Sequence, residues 1–413
     1  MNIMALRRLI RVLKTSVLLE PILATIDLVL WLVDQVAILL SPLPAEQPGV
    51  RRMLLVRLDV FGDYIVFRNY LRYLRQQPDY AKLRITLLGN VVYRPLAESF
   101  DQDVIDEFIW VDIFKMTTRP LYRFRMVRRL RQHRYDIAFS PTYSRILVLD
   151  DFMIKASSAP VRIGCKTEFT NCKRWEAAIG DRFFTRLLDT GPTDEIILEI
   201  ERNRRVLEAL LEKPIALQLP TFPTNQLPAV TVPDHYIVVA PGAGFDDRIW
   251  PVEHFAEVIA DLSERGGITD VVITGTASER TLAERLMALL PHQPRLHDTV
   301  GQLSLPQLIA TIQKADLVIA NDSGSVQLAA AVQTPCVVVA QGKSLLRWHP
   351  VPLETGIVST HVYPDFIEEN RHRLPDIAPD FQSDSPLAIT DVPVKRVMEA
   401  ALRLLGIKMD TLL

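Results

Sequence analysis

The chain has 413 residues, and its 47 basic and 49 acidic side chains leave a formal charge of −2. At roughly 150 residues per domain this length implies two or three domains, and a composition 48% hydrophobic and 23% charged excludes a globally disordered chain. The charge balance argues against a general nucleic-acid binder. Three cysteines are too few for a disulfide framework or a four-thiolate zinc site, so a reducing compartment is expected.

Residues 1–19 carry Arg7, Arg8, Arg11 and Lys14 with no acid, and from Val17 to Leu40 the chain is mostly apolar, interrupted by Glu20, Asp27 and Asp34. Acids seven apart return to nearly the same helix face. The length suffices to span a bilayer, but Asp27 would lie near its centre at a cost of about 2.5–3.5 kcal/mol. Three readings follow: a membrane-surface helix with its acidic stripe turned to water or protein, a transmembrane anchor, or a core-packing or oligomerising extension. Membrane contact through residues 1–40 is the expectation, with residues 1–48 set apart as a hydrophobic helical segment.

After a proline-rich stretch at 41–49, strands and helices alternate. Met53–Leu58 reads as a buried strand, Asp63–Gln76 as a helix, Arg84–Leu88 and Asp136–Phe139 as strands, and Asp194–Leu211 as a helix. Prolines at 214, 220, 223, 228 and 233 mark a connector. Then come strand Tyr236–Ala240, helix Val252–Arg265, strand Asp270–Thr274 and helix Ala277–Leu290. Strand Asp316–Ala320, helix Ser323–Val332, strand Pro335–Val339 and an amphipathic helix Val394–Leu405 complete the pattern. The alternation predicts an α/β chain of two doubly wound parallel halves, residues 49–213 and 234–391, joined by a 214–233 linker and closed by a 392–413 helical tail. A ligand is expected at the carboxyl ends of the strands, in a cleft between the halves.

Four strand-to-helix turns carry the candidate chemistry. In RLDVFGD (57–63), Gly62 permits a tight turn, and Asp63 opens the next helix, either as its cap or as a general base for an acceptor hydroxyl. In PGAG (241–244), Gly242 and Gly244 let backbone approach an anion, and Arg248 offers a planar fork for phosphate oxygens. Trp250-Pro251 reads as packing and a helix start. In GTASE (275–279), Glu279 is placed either to accept ribose hydroxyls or for ordinary first-turn dipole chemistry. In NDSGS (321–325), followed by Gln327, a helix N-terminus offers free N–H groups to a diphosphate.

Residues 119–134 hold seven arginines, His133 and no acid. They read as a solvated basic helix with snorkelling stems, as a surface for anionic lipid or phosphorylated glycolipid, or, least favoured, as an RNA contact. Neither the cysteines nor the eight histidines have zinc or redox spacing, so no metal is expected.

Taken together, PGAG…R.WP..HF, TG…E, VGQLSL..L, ADLVIANDSG…LAAA…TP and Gly342…RWHP resemble glycosyltransferase family 9, the heptosyltransferases of lipopolysaccharide assembly. In the first half, RLDVFGD, the Tyr135-Asp136 strand leading to PTYSR (141–145), and Arg162-Ile-Gly164 agree. The resemblance implies a GT-B fold of two Rossmann-like domains and an inverting, metal-independent transfer. It implies a nucleotide-diphosphate sugar, plausibly ADP-heptose, as co-substrate and a glycolipid or lipopolysaccharide acceptor. The expected location is the cytoplasmic face of a bacterial inner membrane, peripheral or N-terminally anchored, with no nucleic acid partner. By position, Asp63 matches the base, with Gly62 and Arg145 on the acceptor side. Gly242, Gly244, Arg248, Glu279, Asp322, Ser323, Gly324, Ser325 and Gln327 match the donor side. Gln327 stands where many members have histidine, and glutamine donates a hydrogen bond without becoming cationic. The alternative is a non-catalytic nucleotide-sugar-binding scaffold. A nicotinamide-dependent oxidoreductase is disfavoured because no GxGxxG follows an early strand.

Overall fold

The structure is a computed structural model that describes residues 20–46, 49–169, 171–290, 294–352 and 355–407. The basic residues Arg7, Arg8, Arg11 and Lys14 lie outside the described residues.

Twelve short strands build two parallel sheets. The first contains β1 (Arg52–Arg57), β2 (Arg84–Asn90), β3 (Glu107–Val111), β4 (Ile137–Phe139), β5 (Val161–Cys165) and β6 (Arg186–Leu188), in the order β3-β2-β1-β4-β5-β6. The second contains β7 (Ile237–Ala240), β8 (Asp270–Ile273), β9 (Arg295–Asp298), β10 (Leu317–Asn321), β11 (Cys336–Val339) and β12 (Ser359–Val362), in the order β12-β11-β10-β7-β8-β9. Read from its other edge, the second sheet repeats the order of the first: the third strand outermost, the first central, the fourth on the first's other side. This is the doubly wound α/β arrangement, with the order reversing between β1 and β4 and again between β7 and β10.

The central strands are buried on both faces, as their largely apolar sequences require. All six residues of β1 and all five of β10 are buried. Two compact units emerge, one from residues up to Val60, Tyr70–Glu195 and Arg202–Ala216, the other from Phe61–Asn69, Ile196–Glu201 and residues from Leu217 onward.

In the first unit, helix α1 (Glu20–Leu39) packs beside the helix Pro120–Leu130, here α3. Helix α2 (Phe61–Arg75) follows β1 in the chain, with Phe61–Asn69 grouped in the second unit and Tyr70–Arg75 in the first. One narrow face of α1, with Leu30, Asp34 and Ala37 (positions i, i+4, i+7), is buried against the domain. There Asp34 receives two charge-assisted hydrogen bonds from Arg123, Nε to Oδ1 at 2.7 Å and Nη2 to Oδ2 at 2.6 Å. The acid interrupting the apolar run is therefore turned to protein. Burial outweighs Arg123 and raises its pKa above the ordinary carboxylate value.

In the second unit, α4 (Val252–Gly266) and α6 (Val394–Leu404) pack together over the sheet. Trp250, fully buried, donates from Nε1 to the Val392 carbonyl at 3.1 Å, a packing role for the Trp-Pro pair. The linker residues from 217 cluster with this unit: Arg68 bonds the Thr221 carbonyl and stacks over Phe222, 4.6 Å from its centroid. All three cysteines are buried, Cys165 and Cys172 in the first unit and Cys336 in the second.

Candidate active site

The switch point of the second sheet gathers most of the singled-out residues. The turn after β7 carries Gly242, Gly244 and Arg248, and the turn after β10 carries Asp322 to Ser325. Both leave the carboxyl ends of adjacent parallel strands. Asn321, the last residue of β10 and fully buried, ties them together. Its Nδ2 donates to the Pro241 carbonyl at 2.7 Å, and its Oδ1 accepts from the Trp250 amide at 3.1 Å. In sequence Asn321 is simply the first residue of the NDSGS turn. A polar residue ending an otherwise apolar strand was the available signal.

Arg248 pairs with Asp322 at 3.1 Å and lies 5.6 Å from the Phe245 ring centroid. Its Nε is buried without a hydrogen-bond partner, so the guanidinium is held by one edge and keeps donor capacity. Asp322 is followed by Ser323, the extended N-cap residue (φ −149°, ψ 179°) of helix α5 (Gly324–Ala331). No side chain caps this helix, which leaves its first N–H groups as the positive end of the dipole. Ala329 and Ala331 are buried, so small side chains seat α5 against the protein.

Glu279 closes a capping box: its Oε2 accepts from the Thr276 amide at 2.6 Å and the Thr276 hydroxyl at 2.9 Å. A Cβ added at Gly242 would overlap the Glu279 carboxylate, and one at Gly275 would lie 2.9 Å from Oε2. In the structure, then, the missing side chain at Gly242 makes room for Glu279. Gly244 faces open space, with nothing within 4 Å of a Cβ.

The first two turns of α2 belong to this unit by their contacts. A Cβ on Gly62 would lie 3.7 Å from the Trp348 ring and 3.8 Å from Cγ of Gln327, and one on Gly324 would lie 2.9 Å from the Phe61 ring. The Phe61–Asp63 turn therefore rests on the start of α5. Asp63, half-buried, is the third residue of its helix, where a carboxylate interacts favourably with the dipole. Val60 at the N-cap supplies no side-chain cap bond.

Two further residues complete the setting. Trp348 came from the RWHP stretch without an assigned role. His349, buried, lies 3.9 Å from Asp322, and its ring nitrogens meet the Tyr363 hydroxyl and the Lys343 carbonyl, each at 2.9 Å. Burial lowers its pKa, which keeps the ring neutral. Nε2–H then donates to the carbonyl, and Nδ1 accepts from the tyrosine.

Arg145 belongs to the first unit. It is fully buried, paired with Asp151 at 3.3 Å and with Asp181, and lies 4.7 Å from the Phe184 ring centroid. Its charge is engaged inside the fold by these two carboxylates. Among the described residues no three His, Cys, Asp or Glu side chains form a metal-holding group.

Residues 123–373 match the family model of glycosyltransferase family 9 (heptosyltransferase). Two Escherichia coli proteins named lipopolysaccharide heptosyltransferase 3, one from strain K12, are similar at 29% identity over 126 residues and 25% over 236. These alignments cover 30% and 55% of this chain, and the chain spans only 36% and 65% of those relatives. The solved structure of E. coli heptosyltransferase WaaC with ADP superposes with a TM-score of 0.61 at 16% identity, covering 86% of this chain and 99% of that one. At that identity the likeness shows the two-domain GT-B fold.

Proposed function

The chain belongs to glycosyltransferase family 9, and from that premise we propose that it transfers a sugar, a heptose by the names of its relatives, from an ADP-linked donor to a lipopolysaccharide-core or related glycolipid hydroxyl. The carrying observation is the meeting of three features in one unit: the Arg248–Asp322 pair, the uncapped start of α5, and the Phe61–Asp63 turn resting on it.

In this reading Asp63 accepts the proton of the acceptor hydroxyl as its oxygen attacks the anomeric carbon in line. The bond from that carbon to the diphosphate oxygen breaks with inversion. The leaving diphosphate's charge is met by Arg248 and the N–H groups at the start of α5, a preorganised electrostatic contribution. Glu279, Gly242 and Gly244 bound the nucleoside side, and acceptor recognition falls to the first unit. No metal is required by this scheme. In the same reading the enzyme works at the cytoplasmic face of the inner membrane, a location supported by the lipopolysaccharide heptosyltransferase names of its relatives.

The test compares wild-type protein with Asp63→Asn, using ADP-heptose and a lipopolysaccharide-core acceptor. Transfer should fall by about 10²–10⁴-fold while ADP binding, read by calorimetry, persists. Undiminished transfer by Asp63→Asn would sink the assignment of the base. ADP-sugar binding with no transfer by the wild type to any core acceptor would favour a binding scaffold.

A further inference from the structure

The seven arginines of residues 119–134 are sorted by the fold. Arg123 points inward to Asp34, and Arg131 points inward to the carbonyls of Ser41 and Ala156 and the Ser158 hydroxyl, at 2.7–2.9 Å. These contacts pair residue 34 with 123 and residue 41 with 131, so α1 and α3 run side by side in the same direction. The other five, Arg119, Arg125, Arg128, Arg129 and Arg134, are exposed; Arg125, Arg128 and Arg129 share one outer face of α3, without a carboxylate partner among the described residues. Together with Leu40, Pro42 and Pro44 they line an open recess of about 720 Å3 at the carboxyl end of α1.

The free surface of α1 is apolar. Ile22, Leu28, Trp31, Leu32, Val36 and Leu39 are 37–81% exposed, far more apolar surface than scattered exposed residues give. By length and composition alone α1 could cross a bilayer. Its fastening to the fold argues otherwise: a spanning α1 would draw α3 and the side of the unit packed on Leu30, Asp34 and Ala37 into hydrocarbon with it, at a heavy cost for every polar group carried along. A helix in the plane of the interface keeps its apolar face among acyl chains and the flanking guanidinium groups at headgroup level.

We propose that α1 and the arginine recess form a docking surface for an anionic phospholipid bilayer, with α1 lying in the interfacial plane and Arg125, Arg128 and Arg129 receiving lipid phosphodiesters. The surface is independent of the glycosyl-transfer reading. Its test is flotation of the full chain with vesicles of phosphatidylcholine alone or mixed with phosphatidylglycerol. Binding should require the anionic lipid and weaken as salt rises. The triple variant Arg125→Gln/Arg128→Gln/Arg129→Gln should partition on the order of 100-fold less while still binding ADP.

Trp31 fluorescence, isolated by difference against Trp31→Phe, should be quenched best by lipids brominated near the headgroup. Equal binding to neutral vesicles, unchanged binding by the triple variant, or strongest quenching at the bilayer centre overturns the proposal. So does a wild-type protein that ignores vesicles, whether it binds inorganic phosphate at the recess or forms a dimer that Leu32→Asp dissolves.

Discussion

At the scale of single residues, a candidate's place in the fold was legible where a motif fixed both residue type and position. Asp322 and Arg248 pair because each follows a central strand whose position an apolar run dictates. The partners of those residues were not legible, since they are joined only by folding: Asn321 across two turns, Trp348 beneath Gly62, Glu279 above Gly242. Gly242→Ala is expected to displace the Glu279 carboxylate and weaken ADP binding by about 10- to 100-fold, the worth of one charged hydrogen bond. Calorimetry checks this, and a wild-type affinity would remove Glu279 from the nucleotide's surroundings. Asn321→Ala should cost about 2–4 kcal/mol in denaturant unfolding, because it leaves a buried carbonyl and a buried amide unsatisfied. Gln327→His places a group titrating near 6.5 beside the Phe61–Asp63 turn. The rate–pH profile of that variant should gain a step between about pH 5 and 8 that wild type lacks.

At the scale of elements, central strands and amphipathic helices were readable and edge strands were not. The strand β9, RLHD, has no buried residue, and β3 alternates only weakly between buried and half-buried positions. Neither presents the continuous apolar run by which β7 or β10 announces itself. The arginine-rich segment was ambiguous for a different reason: seven identical charges carry no information about which of them finds a partner. The α1–α3 contact resolves it through Asp34 and Arg123, both essentially buried. Asp34→Ala should destabilise the first unit by about 3–5 kcal/mol by stranding a buried guanidinium. Asp34→Leu combined with Arg123→Met should recover most of that loss. Chemical denaturation of wild type, Asp34→Leu, Arg123→Met and the double variant closes the double-mutant cycle, and a double-variant cost equal to the sum of the two single costs would show that the pair is not coupled.

At the scale of the whole molecule, alternation of strand and helix was enough to give two doubly wound halves, because parallel strands need crossovers and crossovers have one hand. The sequence did not reveal that the start of α2 clusters with the second unit, since no local pattern records long-range contacts. Charge burial also sets a pH response. Asp150 is buried and its carboxyl is pushed up to about 6, while burial with Asp150 and Asp181 nearby raises Asp151 despite Arg145. An unfolded aspartate releases its proton near 3.9. Between those values the folded form holds more protons, so stability declines as pH rises from about 4 to about 6. Asp150→Asn should flatten that slope in melting curves taken across the range. A last consequence concerns the sulfur atoms. Cys165 and Cys336 are enclosed in opposite units with thiols pushed up to about 12, so alkylating reagents should leave the native molecule untouched and mark each cysteine only when its own surroundings breathe open. Timed iodoacetamide pulses, read peptide by peptide, would thus clock the opening of each lobe separately, with no engineered probe.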